Sequence, residues 1–391
     1  MIRRVGGWLF ASLCAVAVLA ARPPAQAPPP RLAAQLDRYL GGQYDAVVSQ
    51  FTKQTDFGHL LDVLKHEALP WIAAAPAAER PRRRLVAATY ALEAARAAED
   101  EDWKWVQGID LTAPTLSPVP LITPGGAPPA YRAPPAIWWK TAALLLEWGC
   151  ELLRKGGAPS PAERWWQLGA VAVAQRRGDY EFMIGSPWDA RGNAEDEIEH
   201  LKHVIERFPK EPRFALAQAI AIEWHTWPQS LNRSRTASRH LPDALRAFEG
   251  MRDDPDIGAE AWLRSGLLLL RANSAGKAVE AFTKVEQLTR DRYLIYLAKF
   301  FRGQAHERQK ADIDAERDYR GALATIPKAI SASMALAALL TRAERPGEAS
   351  AIVDAAVTAN PPPVDPWREY GAADDRFWPR FLSQLRAEIR Q

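Results

Sequence analysis

Residues 296–329 read YLAKFFRGQAHERQKADIDAERDYRGALATIPKA, and residues 330–363 read ISASMALAALLTRAERPGEASAIVDAAVTANPPP. Set one under the other, these two blocks of 34 residues align Pro327 with Pro361, Gly303 with Ala337, Ala315 with Ala349, Tyr319 with Val353 and Ala322 with Ala356. Self-similarity at this period marks a unit of two helices that buries its apolar side by stacking on its neighbours. A third copy starts at Ala259, with Trp262, Gly266, Ala278, Phe282 and Val285 in the corresponding slots. It carries Arg290 in the proline slot, and three extra residues follow. Small residues at slots 8 and 20 let the two helices approach closely, a bulkier residue at 24 fills the space beside them, and proline at 32 stops the second helix.

This pattern over residues 259–363 resembles the tetratricopeptide repeat family. The resemblance implies an all-α fold, a right-handed superhelical stack of antiparallel helix pairs, whose concave groove is lined by first-helix positions 2, 5, 9, 12 and 13. At position 13 the three copies have Arg271, Arg308 and Arg342, so three guanidinium groups are expected along one groove. Positions 5 and 9 add Phe300, Gln304 and Met334, a set unlike the Lys and Asn of the family's chaperone-tail binders. Two readings of the arginines stand side by side. Each closes a helix, where a cation suits the negative dipole end, or the three form a ladder for carboxylates or backbone carbonyls of an extended partner.

Upstream the pattern thins. Leu241–Pro255 reads as a second helix with Ala244, Phe248 and Met251 at 20, 24 and 27, partnered by Pro212–Ile222 with Ala219 at 8. Trp165, Leu168 and Gly169 suggest another first helix, closed by a turn at Gly178-Asp179-Tyr180, and Ile198–Pro209 a second one. Near the start, Gly42, Tyr44 and Ala46 mark a similar turn. The expected organisation is a degenerate helical-repeat region over 31–208, clearer repeats over 209–373, and a capping helix over 374–391 with Phe377, Phe381, Leu382, Leu385 and Ile389 on one face. Long loops interrupt the spacing at 110–135, with eight prolines, at 184–193 and at 224–240.

The 391 residues are 48% hydrophobic and 25% charged, which excludes wholesale disorder and a polytopic membrane protein. A formal net charge of +3 argues against nucleic acid as a partner. Met1–Arg4 is basic, and Val5–Ala21 runs without a charge into Val-Leu-Ala-Ala, the pattern of a secretory signal peptide over 1–21, followed by a Pro-rich leash over 22–30. A periplasmic or secreted protein without membrane insertion after cleavage is expected. Cys14 falls with the signal, leaving Cys150 as the one thiol and no disulfide framework.

Catalytic signatures are missing from the sequence: G-x-S-x-G, H-E-x-x-H, a Walker loop and G-x-G-x-x-G do not occur, nor does the Glu-Ser dipeptide of exported lytic transglycosylases. Ser274-Ala-Gly-Lys277 fits S-x-x-K but lies in a repeat turn without its companion motifs. His200 and His203, with Asp196 and Glu199 a turn before them, read as a solvated helix side because no third metal ligand is visible. Arg80 and Arg82–Arg84 read as a solvated helix start. No cofactor and no metal are expected. The first functional expectation is a non-enzymatic scaffold that binds a protein or peptide partner in its groove. The alternative is a cell-envelope glycan-binding or glycan-processing protein, in which Trp224 and Trp227 stack on sugar rings beside Arg233 and Arg235. A hidden enzyme site within 31–200 stays open as a third.

Overall fold

The structure, a computed structural model, describes residues 31–51, 55–107, 137–155, 157–183, 198–224, 237–359, 366 and 378–391. Among them every regular element is helical and no strand occurs, as the all-α expectation requires. The signal segment, the leash and the Pro-rich loop lie outside the described residues.

The repeat copies fold as three helix pairs. Helices α10 (Gly258–Arg271) and α11 (Ala275–Leu288) form the first, α12 (Arg292–Arg308) and α13 (Asp312–Thr325) the second, α14 (Ile330–Arg342) and α15 (Pro346–Val357) the third. Each helix packs on the next in order, and the six share one apolar core. The small slots explain the closeness. A Cβ built on Gly266 would lie 2.4 Å from the Phe282 ring, and one on Gly303 would lie 2.5 Å from the Tyr319 ring. The third pair divides the same space differently, placing a larger Ala337 opposite a smaller Val353.

The turn inside each pair is also a repeated device. Asn273, Lys310 and Glu344 occupy the same slot and all have left-handed backbone, with φ of 58°, 60° and 61°. The amide of the next residue donates back to the carbonyl five residues before it: Ser274 to Leu269 at 2.8 Å, Ala311 to His306 at 2.9 Å and Arg345 to Leu340 at 2.9 Å. That is the Schellman closure, whose left-handed residue is usually glycine because a Cβ there is strained. Glu344→Gly is therefore expected to stabilise the chain by about 1 kcal/mol in urea denaturation, and Asn273→Gly by less, since Asn tolerates this conformation.

The N-terminal half is built on another plan. Helix α4 (Arg80–Gln107) contains LVAATYALEAA at 85–95, and all eleven of these residues are buried. A helix buried on every side, Thr89 and Glu93 included, must be surrounded. It is enclosed by α1 (Leu32–Leu40), α3 (Phe57–Ala73), α5 (Ile137–Arg154) and α6 (Pro161–Met183). The turn expected near the start is present: Gly42 has φ of 87° between α1 and the short α2 (Tyr44–Val48).

The turn at Gly178-Asp179-Tyr180 does not form, because α6 runs unbroken to Met183. A single glycine costs a helix only about 1 kcal/mol, too little by itself to end one. Packing is continuous across residues 208 and 209. Helix α7 (198–207) and α8 (Pro212–Trp224) share a core with α6, while other residues of α8 join α9 (Ala237–Glu249) and α10.

The last helix, α16 (Trp378–Arg390), buries Trp378, Phe381, Leu382, Leu385 and Ile389, nearly the face read from the sequence. It does not cap the third pair, however. It lies against α4 and α6 in the N-terminal core. Arg82 Nε donates to the Ile389 carbonyl at 2.5 Å and Tyr44 Oη to that of Arg386 at 3.3 Å. Arg82 is thus no idle member of a solvated helix start, and neither is Arg83, which donates to the Trp71 carbonyl at 2.7 Å.

Candidate binding groove

Each of the three arginines at position 13 is tied to the pair before it. Arg271 meets Glu223 on α8, Arg308 donates through Nη1 to the carbonyl of Leu270 on α10, and Arg342 meets Glu307 on α12 at 2.5 Å. Glu223, Leu270 and Glu307 all occupy slot 12 of their own copies. An arginine at slot 13 therefore reaches back to slot 12 of its neighbour, taking a carboxylate where one is present and a main-chain carbonyl where leucine stands instead. Helix-end electrostatics and partner capture both missed this staple. Its strength varies along the stack. The Glu223 side chain is 3% exposed and also receives Arg264 at 3.0 Å, whereas Arg342 is 57% exposed and its pair is screened by water.

The other expected groove residues separate. Phe300 is 5% exposed and packs against Tyr296, Phe301 and Tyr319, so it is a core residue and not a contact surface. This corrects the expectation that it supplies affinity. Met334, in the same slot of the last pair, is 39% exposed. Gln304 is partly exposed, and its amide has no partner among the described residues.

Gln304, Arg308 and Arg342 converge on one cleft between α12, α13 and α14. With Glu307, Lys310, Asp312, Tyr319 and Ala335 they line a space of about 700 Å³. Three cations and two carboxylates surround it, and one carboxylate, Glu307, is already engaged by Arg342. Lys310 and Asp312 stand exposed at the rim with no side-chain partner among the described residues. Tyr319 is fully buried, with its hydroxyl beside the Glu307 carboxylate. Burial first, and the Glu307 carboxylate second, hold this phenol well above the ordinary tyrosine range, so it is a donor at any physiological pH. Lys310 and Tyr319 escaped the sequence reading because one sits in a turn and the other in a core slot.

The remaining expectations resolve as follows. Trp227, Arg233 and Arg235 lie outside the described residues, and of Trp224 only the backbone, at the end of α8, is described. Among the tryptophans whose side chains are described, Trp166 is buried and donates to the Ala88 carbonyl at 3.2 Å, while Trp165 is partly buried between Arg164 and Arg380. His203 is 73% exposed and near only Glu199 and Glu206, and His200 sits 3.3 Å from Gln167. No cluster among the described residues could hold a metal ion. Ser274 immediately precedes α11, with Gly276 and Lys277 in its first turn. No helix among the described residues is long and apolar enough to cross a membrane.

A scan against protein-family models finds no match for this chain, and a search of curated proteins finds no significant relative.

Proposed function

We propose that the chain is an exported, tetratricopeptide-like helical scaffold, without catalysis of its own, that binds a protein or peptide partner at the cleft between α12, α13 and α14. The observation that carries this reading is the set of polar side chains around that cleft, Gln304, Lys310 and Asp312, that have no partner within the described chain. Inter-repeat ion pairs account for much of the remaining charge in the stack, so these unspent groups stand out. The cleft adjoins Met334, an exposed apolar side chain on the same helix as Ala335. An apolar contact flanked by satisfied and unsatisfied polar groups is the composition of an interface. Export rests on the signal-like N-terminus alone.

The test is site-specific photocrosslinking in the native envelope. A crosslinker at Gln304 is expected to capture one defined partner, and one at Ile313, 87% exposed on α13 and outside the residues lining the cleft, is expected not to. Equal capture from both positions, or none from Gln304, refutes the reading. Lys310→Glu should abolish capture without loss of helicity, because glutamate already occupies the equivalent turn slot as Glu344.

A further inference from the structure

Contacts between successive pairs show which slots of a pair meet the pair that follows. In the first pair, slot 12 (Leu270) gives its carbonyl to Arg308, slot 25 (Thr283) accepts from Arg302 at 3.2 Å, and slot 28 (Glu286) meets Arg302 at 2.6 Å and Lys299 at 3.6 Å. In the second pair, the hydroxyl of slot 1 (Tyr296) accepts from the Ala332 amide at 3.3 Å, and slot 12 (Glu307) meets Arg342. Slot 21 (Glu316) meets Arg345 at 2.8 Å, and slot 25 (Arg320) meets Glu348 at 3.2 Å. Slots 1, 12, 21, 25 and 28 therefore make up the trailing face of a pair. The cations that reach it come mostly from the incoming first helix, as Lys299, Arg302 and Arg308 on α12 and Arg342 on α14.

In the third pair these slots hold Ile330, Thr341, Ser350, Asp354 and Val357, and every one is exposed, Ile330 by 43% and Val357 by 73%. Slot 5 follows the same rule: Leu263 and Phe300 are buried in the earlier pairs, and Met334 is exposed in the last. Among the described residues no helix pair follows, since α16 lies against α4 and α6. The last unit of a stack needs a polar outer face, yet this one presents three large apolar side chains. We propose that the trailing face of α14 and α15 docks a basic amphipathic helix of a partner protein. Its apolar stripe covers Ile330, Met334 and Val357, an arginine in the role of Arg308 takes the Thr341 carbonyl, and a second cation meets Asp354. The partner's charge follows from the cations that both earlier steps bring. A second copy of the chain has no such helix to lend, because α10, α12 and α14 each pack on the helix before them. This surface is distinct from the cleft and needs neither Gln304 nor Lys310.

The experiment is fluorescence anisotropy on the full chain with labelled, terminally blocked helical peptides. One is built of alanine, leucine and arginine, with the leucines on one helical face and the arginines flanking them. The second has glutamate in place of arginine, and the third scrambles the residues of the first. The arginine peptide is expected to bind, the glutamate peptide about tenfold more weakly, and the scrambled peptide not at all. Val357→Ser, at a side chain too exposed to disturb the core, should weaken binding of the arginine peptide about tenfold by removing an apolar contact. Asp354→Lys should narrow or reverse the preference between the two charged peptides. Lys310→Glu, a change confined to the cleft, should leave binding as it was. Absence of binding by the arginine peptide, equal binding of the arginine and glutamate peptides, or binding that Val357→Ser leaves unchanged overturns the proposal. Loss of binding in Lys310→Glu also overturns it, because the peptide then sits in the cleft. A photocrosslinker at Val357 that reacts only with residues 360–377 of the same chain overturns it as well, since the chain is then its own cover.

Discussion

Gly303→Ala is expected to destabilise the chain by about 2 kcal/mol, although alanine is the better helix former. In an open helix the change would gain about 1 kcal/mol from propensity. Here the new methyl would fall 2.5, 2.7 and 3.0 Å from three carbons of the Tyr319 ring. That ring is fully buried and touches Phe300, so it cannot swing aside. Overpacking of this kind costs about 3 kcal/mol, which exceeds the propensity gain. The third pair shows how the clash is relieved, since Ala337 there faces Val353. Tyr319→Val alone should leave a cavity costing about 3 kcal/mol. Combined with Gly303→Ala it should recover part of both losses, giving a favourable coupling of at least about 1 kcal/mol in a double-mutant cycle. Urea denaturation of the three variants measures this. A Gly303→Ala variant more stable than the parent would show that the close approach is not what the glycine serves.

Arg386→Met is expected to cost about 3–5 kcal/mol and to release α16 from the N-terminal core. Arg386 meets Glu93 at 2.9 Å, and Glu93, 1% exposed in the middle of α4, also accepts from Tyr39 Oη at 2.7 Å. Burial, and then the Glu93 carboxylate, hold the Tyr39 phenol far above its ordinary range, so Tyr39 stays a donor and cannot neutralise the acid. Without the guanidinium, Glu93 is a buried charge with a single hydrogen bond. The same arginine also meets Asp45 at 3.0 Å, but that carboxylate is 91% exposed and Asp45→Asn should cost less than about 0.5 kcal/mol. Glu93→Gln introduced together with Arg386→Met should recover a large part of the loss, because the stranded charge is gone. Amide hydrogen exchange reads the effect locally: protection over residues 378–390 should collapse in Arg386→Met and persist in Asp45→Asn. Equal protection in the two variants would mean that the apolar face alone, at about 2 kcal/mol per buried side chain, holds the helix.

How much of this was legible in advance differs by region. Over 259–357 the small, bulky and stop residues sit at fixed offsets, and the helix pairs follow because those constraints are local to one pair and its neighbour. The N-terminal half showed weak echoes of the same spacing, yet LVAATYALEAA was the informative stretch there. With only Thr89 and Glu93 polar in eleven residues it has too little polar surface to face water, so the helix is enclosed, which a linear stack does not provide. In the groove, Arg271, Arg308 and Arg342 were found by position, but the partner of each lies in a different copy, and only slot 12 read together with slot 13 would have exposed the staple. Lys310 could have been flagged as a non-glycine residue in a turn that recurs three times. The meeting of the Tyr319 hydroxyl with Glu307 could not, since tyrosine and phenylalanine fill that slot equally well.

Order along the chain thus determined that helices form, where the repeated pairs begin and end, and which face of the last helix is apolar, because helix propensity, glycine and proline act within a few residues. Tertiary structure alone decided that α16 returns to α4 and α6, that Phe300 is sealed in the core while Met334 is not, and that each arginine at slot 13 is spent on the pair before it. Those outcomes depend on which surfaces are left uncovered after the other helices have packed. An apolar face specifies that it must be buried, and its place of burial is set by the shape and charge of whatever remains open, here the surface of α4 and α6, with the buried Glu93 carboxylate short of a counter-charge until Arg386 arrives.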